Sequence, residues 1–152
     1  VNCGLYDPGS KSPDLAGWLA EEHIREQNRQ SQQHDHHHDV NRHDAHVHSF
    51  ALTFDEPLDW LSFTDAIAIL IDTLGDRILR IKGLLHVKGD HKPRVVQCVQ
   101  RVMYPYSRLD AWPEVPPYND QKSRLVFIVR DVPQSMVEQA FAMFCHTQPQ
   151  GA

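Results

Sequence analysis

The sequence predicts an α+β domain, a mainly antiparallel sheet with two helices packed on one face. Three observations carry that prediction. Apolar residues alternate in several short stretches, as in half-buried strands. Two other stretches space them at three and four residues, as on one face of a helix. Two of the alternating stretches are separated by a turn, so at least one pair is a hairpin, which makes the sheet largely antiparallel.

The elements follow in order. His48 to Phe54 alternates, with Phe50, Leu52 and Phe54 on one side, and reads as the first strand. After Pro57, Asp59 is placed to N-cap a helix of about four turns carrying Trp60, Phe63, Ile67, Leu70, Ile71 and Leu74, with Gly75 as its stop. Arg77 to Lys88 alternates again: Leu79, Ile81, Leu85 and Val87 face a core, and Arg80, Lys82, His86 and Lys88 face the other way. Gly89-Asp90 gives a turn, and Arg94 to Met103 reads as the hairpin partner, its connection lengthened by Pro93. Tyr104 to Trp112 is compatible with a further short strand broken by Pro105, and Pro113 to Asp120 is a loop by its prolines. Ser123 to Arg130 contains the apolar run LVFIV of a last strand. Pro133 then opens a helix with Met136, Val137, Ala140, Phe141 and Phe144 on one stripe. The folded core is expected from about His46 to about His146, with Val1 to about Gln33 poorly anchored.

Composition narrows the function. With 152 residues the chain has room for one domain and an appendage, and a formal charge of -5 argues against a nucleic-acid partner. No apolar run is long enough to cross a membrane and no signal-peptide pattern is present, so no membrane partner is expected. Three cysteines without CxxC spacing suit the reducing cytoplasm, where the protein is placed; Cys98 and Cys145 read as packed thiols. The chain begins with Val and reads as a piece of a longer protein.

The densest chemistry lies in HDHHHDVNRHDAHVH, where seven of the eleven histidines fall: His34, His36, His37, His38, His43, His46 and His48. Imidazole is the commonest ligand for divalent transition metals, and the interleaved carboxylates can ligate or orient a ring. The stretch before it, Glu21 to Gln33, lacks an apolar face, so the histidines are expected on a flexible linker as a loose capture site for several ions. Zinc ranks first, with nickel or cobalt the other candidates. The bland reading is a solvated linker whose histidines bind metal incidentally. Arg80, Lys82 and His86 form a basic strand face, an interaction surface for an acidic partner or simply the solvated side of a strand. Gly4 to Ser12 is not a phosphate loop, because Ser10 stands between Gly9 and Lys11. No nucleophile–base pairing emerges, and catalytic residues are expected to be absent.

Several segments in fixed order resemble one family, the C-terminal domain of CobW-type P-loop GTPases, which serve as metal chaperones. Arg80-Ile81-Lys82-Gly83 resembles that domain's RxKG strand motif, and Ser123 to Val129 its late strand, although Val129-Arg130 stands where a Gly is common. Trp112 matches the tryptophan between them. Asn2 to Asp7 resembles the "NTGLFD" tail of the family's GTPase domain, and Trp18-Leu19 the "WL" before a His-rich linker. The resemblance implies residues 1–25 as the tail of a missing N-terminal GTPase domain, 26–47 as the His-rich linker, and 48–147 as the C-terminal domain. It also implies that GTP and magnesium belong to the missing domain, so that this chain carries no GTP hydrolysis. The implied role is that of a regulatory or interaction domain of a GTP-dependent metal chaperone, akin to proteins of cobalamin biosynthesis. Its partners would be the cognate GTPase domain and a client metalloprotein. The alternative is a protein–protein interaction module with incidental histidines.

Overall fold

The computed structural model describes residues 17–19, 46–146 and 149–151. Its centre is a seven-stranded sheet whose paired strands all run antiparallel. The strands are β1 (Val47–Phe54), β2 (Ile78–Leu85), β3 (Arg94–Val99), β4 (Val102–Met103), β5 (Ser107–Arg108), β6 (Ser123–Arg130) and β7 (Gln150–Gly151). In space they are ordered β4-β3-β2-β6-β1-β7, with β5 on the other half of β3. β1 and β2 both run antiparallel to β6 between them, so they are parallel to each other and need a crossover. Helix α1 (Trp60–Leu74) makes it, giving a split β-α-β unit.

The N-cap of α1 is Asp59, whose Oδ2 accepts from Ser62 N and Ser62 Oγ, both at 3.0 Å, which satisfies one of the open N–H groups of the first turn. Gly75 ends it at φ 56°, a left-handed backbone that glycine adopts without strain. Leu58 bridges to β2's extension, donating to His86 O at 2.8 Å and accepting from Lys88 N at 2.9 Å. Helix α2 (Gln134–Cys145) returns over the same face. Its Phe141 is the hub of the core, 5.3 Å from Phe54 and 6.1 Å from both Phe63 and Phe127, centroid to centroid. Phe50 stacks on Phe127 at 5.5 Å.

The fold class is that expected, with both helices on one face. The differences are local. Leu79 does not take the core position that alternation assigns it: the register of β2 on β6 shifts between Ile78 and Arg80, and Ile78 is buried instead. Met136 lies 40% exposed, off the stripe of buried Val137 and Phe141. The stretch around Pro105 holds two two-residue strands, β4 and β5, and β7 is a pairing that no sequence pattern suggested. Residues 17–19, expected to be poorly anchored, are helical, and Trp18 and Leu19 are buried.

Two residues, one on β2 and one on β6, explain local order. Gly83 on β2 lies where a Cβ would strike the Leu125 side chain and meet the Arg124 carbonyl and Val96 Cγ2, both at 3.0 Å. Arg124 clasps Asp120 through both carboxylate oxygens, at 2.8 and 2.6 Å, and pins the end of the proline-rich loop to the sheet.

Gly83→Ala is expected to lower stability by about 1–3 kcal/mol, because the extra methyl must displace packed strands. Chemical denaturation measures it, and an unchanged midpoint would refute the close-packing account. The Arg124 guanidinium, first among several causes, holds the Asp120 carboxyl at about 2, below its ordinary 3.8. The stabilisation is therefore complete above about pH 4 and fades as pH falls from about 4 to about 2. Asp120→Asn should cost about 1 kcal/mol at pH 7, discounted for the pair's exposure. The difference from the parent should close below about pH 2; a gap that persists there would show the loss to be steric.

Candidate functional site

The face of the sheet away from the helices is where the chain commits unusual chemistry. Register places Gln97, Lys82, Val126 and Ala51 in one row across β3, β2, β6 and β1. Leu84 and Val95 stand in the next row and join Val126 in a small apolar cluster, rimmed by Ala51, Leu109, Trp112 and Tyr118. Onto this surface the helical residues 17–19 seat Trp18 and Leu19.

Lys82 rises into the seam and is only 1% exposed. Its Nζ donates to Trp18 O at 3.0 Å and lies 5.1 Å from the centroid of the Trp18 ring. A carbonyl acceptor and an aromatic face are what a buried ammonium needs in place of water. Lys82 is thus not part of a solvated basic row. Arg80, one alternation back on β2, is half-buried on the same face. His86 belongs to the opposite end of the seam, where its Nδ1–H donates to Gln121 O at 3.0 Å and its ring meets Trp112 edge-on at 5.4 Å. Its backbone N–H donates to the buried Ser123 Oγ at 2.8 Å. The predicted trio therefore shares one side of the sheet without forming one open basic patch.

The histidines divide. His34, His36, His37, His38 and His43 lie outside the described residues. His46 and His48 stand at the start of β1, on the fold itself. His46 Nδ1 is 2.7 Å from Asp131 Oδ1, and its carbonyl accepts from Asp131 N at 2.9 Å. A carboxylate that accepts from Nδ1–H favours the tautomer with its lone pair on Nε2, the arrangement seen in metal-ligating imidazoles. His48 packs its ring 6.0 Å from Phe50. Among the described residues no three His, Cys, Asp or Glu side chains are grouped to hold a metal ion. His46 stands beside a carboxylate and His48 against a phenyl ring, and among the described residues the two do not make a metal site by themselves.

Sequence reasoning missed two arrangements. Asp131 sits 85 residues from the His46 it meets, and no local spacing announces the pair. The second has a visible signal, the i,i+4 pair Asp90 and Arg94. Asp90 Oδ2 accepts from Arg94 Nε at 3.0 Å and from Arg108 Nε at 2.9 Å, and its carboxyl is held below the usual range, chiefly by Arg94. The Arg94 guanidinium lies 4.6 Å from the Trp60 ring and 4.3 Å from the Tyr106 ring. This cluster ties the hairpin to α1. The cysteines fit their packed reading: burial pushes the Cys98 thiol up to about 11, and burial followed by the Asp59 charge does the same for Cys145. Among the described residues no helix is long and apolar enough to cross a membrane.

No curated protein sequence matches the chain significantly. Among solved structures, the Zn(II)-bound YjiA GTPase from E. coli matches with a TM-score of 0.56 and 24% identity over 72% of this chain. A Zn(II)-bound triple mutant of YjiA GTPase matches with a TM-score of 0.58 and 23% identity over 73%. At that identity the likeness is one of fold, and the match covers 33% of each YjiA chain. Residues 47–145, which hold β1 to α2, match the model described as the cobalamin synthesis protein cobW C-terminal domain, and the chain belongs to that family.

Proposed function

We propose that the chain is the C-terminal regulatory and interaction domain of a GTP-dependent metal-homeostasis protein, joined to its GTPase domain through the segment that includes Trp18 and Leu19. The observation that carries this reading is the seating of Trp18 and Leu19 over Lys82, on the sheet face that the helices leave uncovered. A folded domain that holds a segment well upstream of its own first strand is positioned to feel what happens there. In this reading residues 1–25 are the tail of the GTPase domain, 26–47 the His-rich connection, and GTP and magnesium are bound upstream, so the chain alone turns over no GTP. The protein works in the cytoplasm and passes its ion to a client metalloprotein.

His34, His36, His37, His38, His43, His46 and His48 are the capture ligands, and zinc is the preferred ion over nickel or cobalt. Both solved relatives are described as Zn(II)-bound, which supports that order. His46, oriented by Asp131, gives the capture segment a fixed point on the fold.

Equilibrium dialysis with zinc tests this. Ligating imidazoles must be deprotonated, and free imidazole titrates near about 6.5, so binding should be strong at pH 7.5 and largely lost at pH 5. Changing all seven histidines to Ala should abolish it. A variant that keeps the parent's stoichiometry would overturn the capture assignment and favour the competing reading, an interaction module whose histidines are incidental. His86, His91, Cys98 and Cys145 would then be the ligands to examine.

A further inference from the structure

We propose that the outer surface of the two helices is a docking groove for a basic amphipathic helix of a partner protein. It uses no histidine and no ion, and so stands apart from the capture reading. The helices' own sequences support it first. α1 and α2 carry Asp65, Asp72 and Glu138 and no Lys, Arg or His. A solvated helix face ordinarily mixes both signs of charge. Here one sign is missing, and apolar residues stand in the gaps: Leu61 is 72% exposed, Met143 70%, Ile69 41% and Met136 40%. Single exposed apolar residues need no explanation, but a contiguous group with a charged rim marks an interaction site.

Geometry makes these four contiguous. α1 and α2 pack side by side, and Phe63, near the start of α1, stacks on Phe141, near the end of α2, at 6.1 Å. The charge of Asp59, the N-cap of α1, acts on Cys145, the last residue of α2, so the helices run antiparallel. Leu61 and Met143 therefore share one end of the pair, and Ile69 and Met136 the other, about 10–12 Å away along the axes. Trp60 turns toward Tyr106 and the hairpin, and Ile69 lies about half a turn round α1 from it. Gln134 and Glu138 lie against Gly151 of β7, and Met136 is about half a turn round α2 from them. Ile69 and Met136 thus border the furrow between the helices, while exposed Asp65 and Asp72 share the outward stripe of Leu61.

The spacing and the charge choose the occupant. Two apolar pairs about 10–12 Å apart match anchors about two turns apart on a bound helix. Methionine's flexible thioether lets such a wall adapt to its ligand. The carboxylates select the sign: a basic partner is attracted, whereas a nucleic acid, an anionic membrane or the same face of a second copy brings like charge.

The probes are two synthetic peptides of about four turns with the same leucine stripe, one carrying Lys and the other Glu at the remaining positions. NMR of the whole chain with ¹³C-methyl methionine reads binding at three sites, Met103, Met136 and Met143. The Lys peptide should shift Met136 and Met143 to saturation and leave Met103, on β4, unmoved. The Glu peptide should shift none of them. Asp65→Lys with Asp72→Lys should invert the preference and weaken the Lys peptide by about tenfold or more. Met136→Gln with Met143→Gln keeps the charges and removes two apolar walls, and fluorescence anisotropy of the labelled Lys peptide should then show a loss of about tenfold or more. All four positions are exposed, so both variants should keep the fold. Undiminished binding to either variant would overturn the proposal, the methionine variant by reducing it to charge adsorption. Equal binding of the two peptides, a Met103 shift as large as the others, or no saturable shift with the Lys peptide at about 1 mM would overturn it as well.

Discussion

Strand β6 is covered on both faces, and the rest of the domain follows from that requirement. It lies between β1 and β2 and bonds to both along nearly its whole length. Leu125, Phe127 and Val129 point to the helices, while Val126 points the other way and is also buried. A strand in that position needs two covers. α1 and α2 supply the first as one continuous apolar layer. No third helix of comparable length is available among the described residues, so the second cover is improvised from Leu109, Trp112 and Tyr118 of the loop before β6 and from Trp18 and Leu19. The loop is pinned by an arginine of β6 itself, Arg124.

The improvised cover explains why a lysine is buried. Alternation puts Lys82 on the second face beside Val126, and whatever covers Val126 must also cover Lys82. Enclosing an ammonium costs several kcal/mol even after relaxation. A hydrogen bond from a charged group returns about 1.5–3 kcal/mol, and a desolvated cation–π contact about 2 kcal/mol. Those contacts offset part of that cost, and the apolar area of Trp18 and Leu19 adds to the hold on residues 17–19.

How much of this was legible in the sequence follows from the range of each signal. The long strands β1, β2, β3 and β6, both main helices, Asp59 and Gly75 came from periodicity and capping chemistry, which act within a few residues. Leu79 was misplaced because a register shift resets alternation, and a shift is specified by the neighbouring strand. Lys82 carried the opposite error. Its charge reads as solvent-facing in any local window, and Trp18, 64 positions away, helps to enclose it. The pairing of His46 with Asp131 is illegible for the same reason, because β1 and the end of β6 become neighbours only when the sheet forms. The family motif, by contrast, marked the right strand without revealing its use: within Arg80-Ile81-Lys82-Gly83, Lys82 faces the second cover and Gly83 makes room for Leu125 and Val96 on the first.

Those long-range contacts fix the two points between which the histidine-rich stretch runs. Read locally, it is a free linker. In the fold, the chain is fixed before it at Leu19, buried under the sheet, and after it at His46, bonded to Asp131. Residues 20–45 therefore connect two points on one domain. Joining ligands to a fixed scaffold raises their effective concentration toward any ion already held by that scaffold, and the entropy of closing such a loop grows only slowly with its length. His46 is the imidazole best prepared to be that first ligand, because Asp131 has already fixed its tautomer and ring plane. Ion capture would then tighten the connection between the segment under the sheet and the strand at its edge.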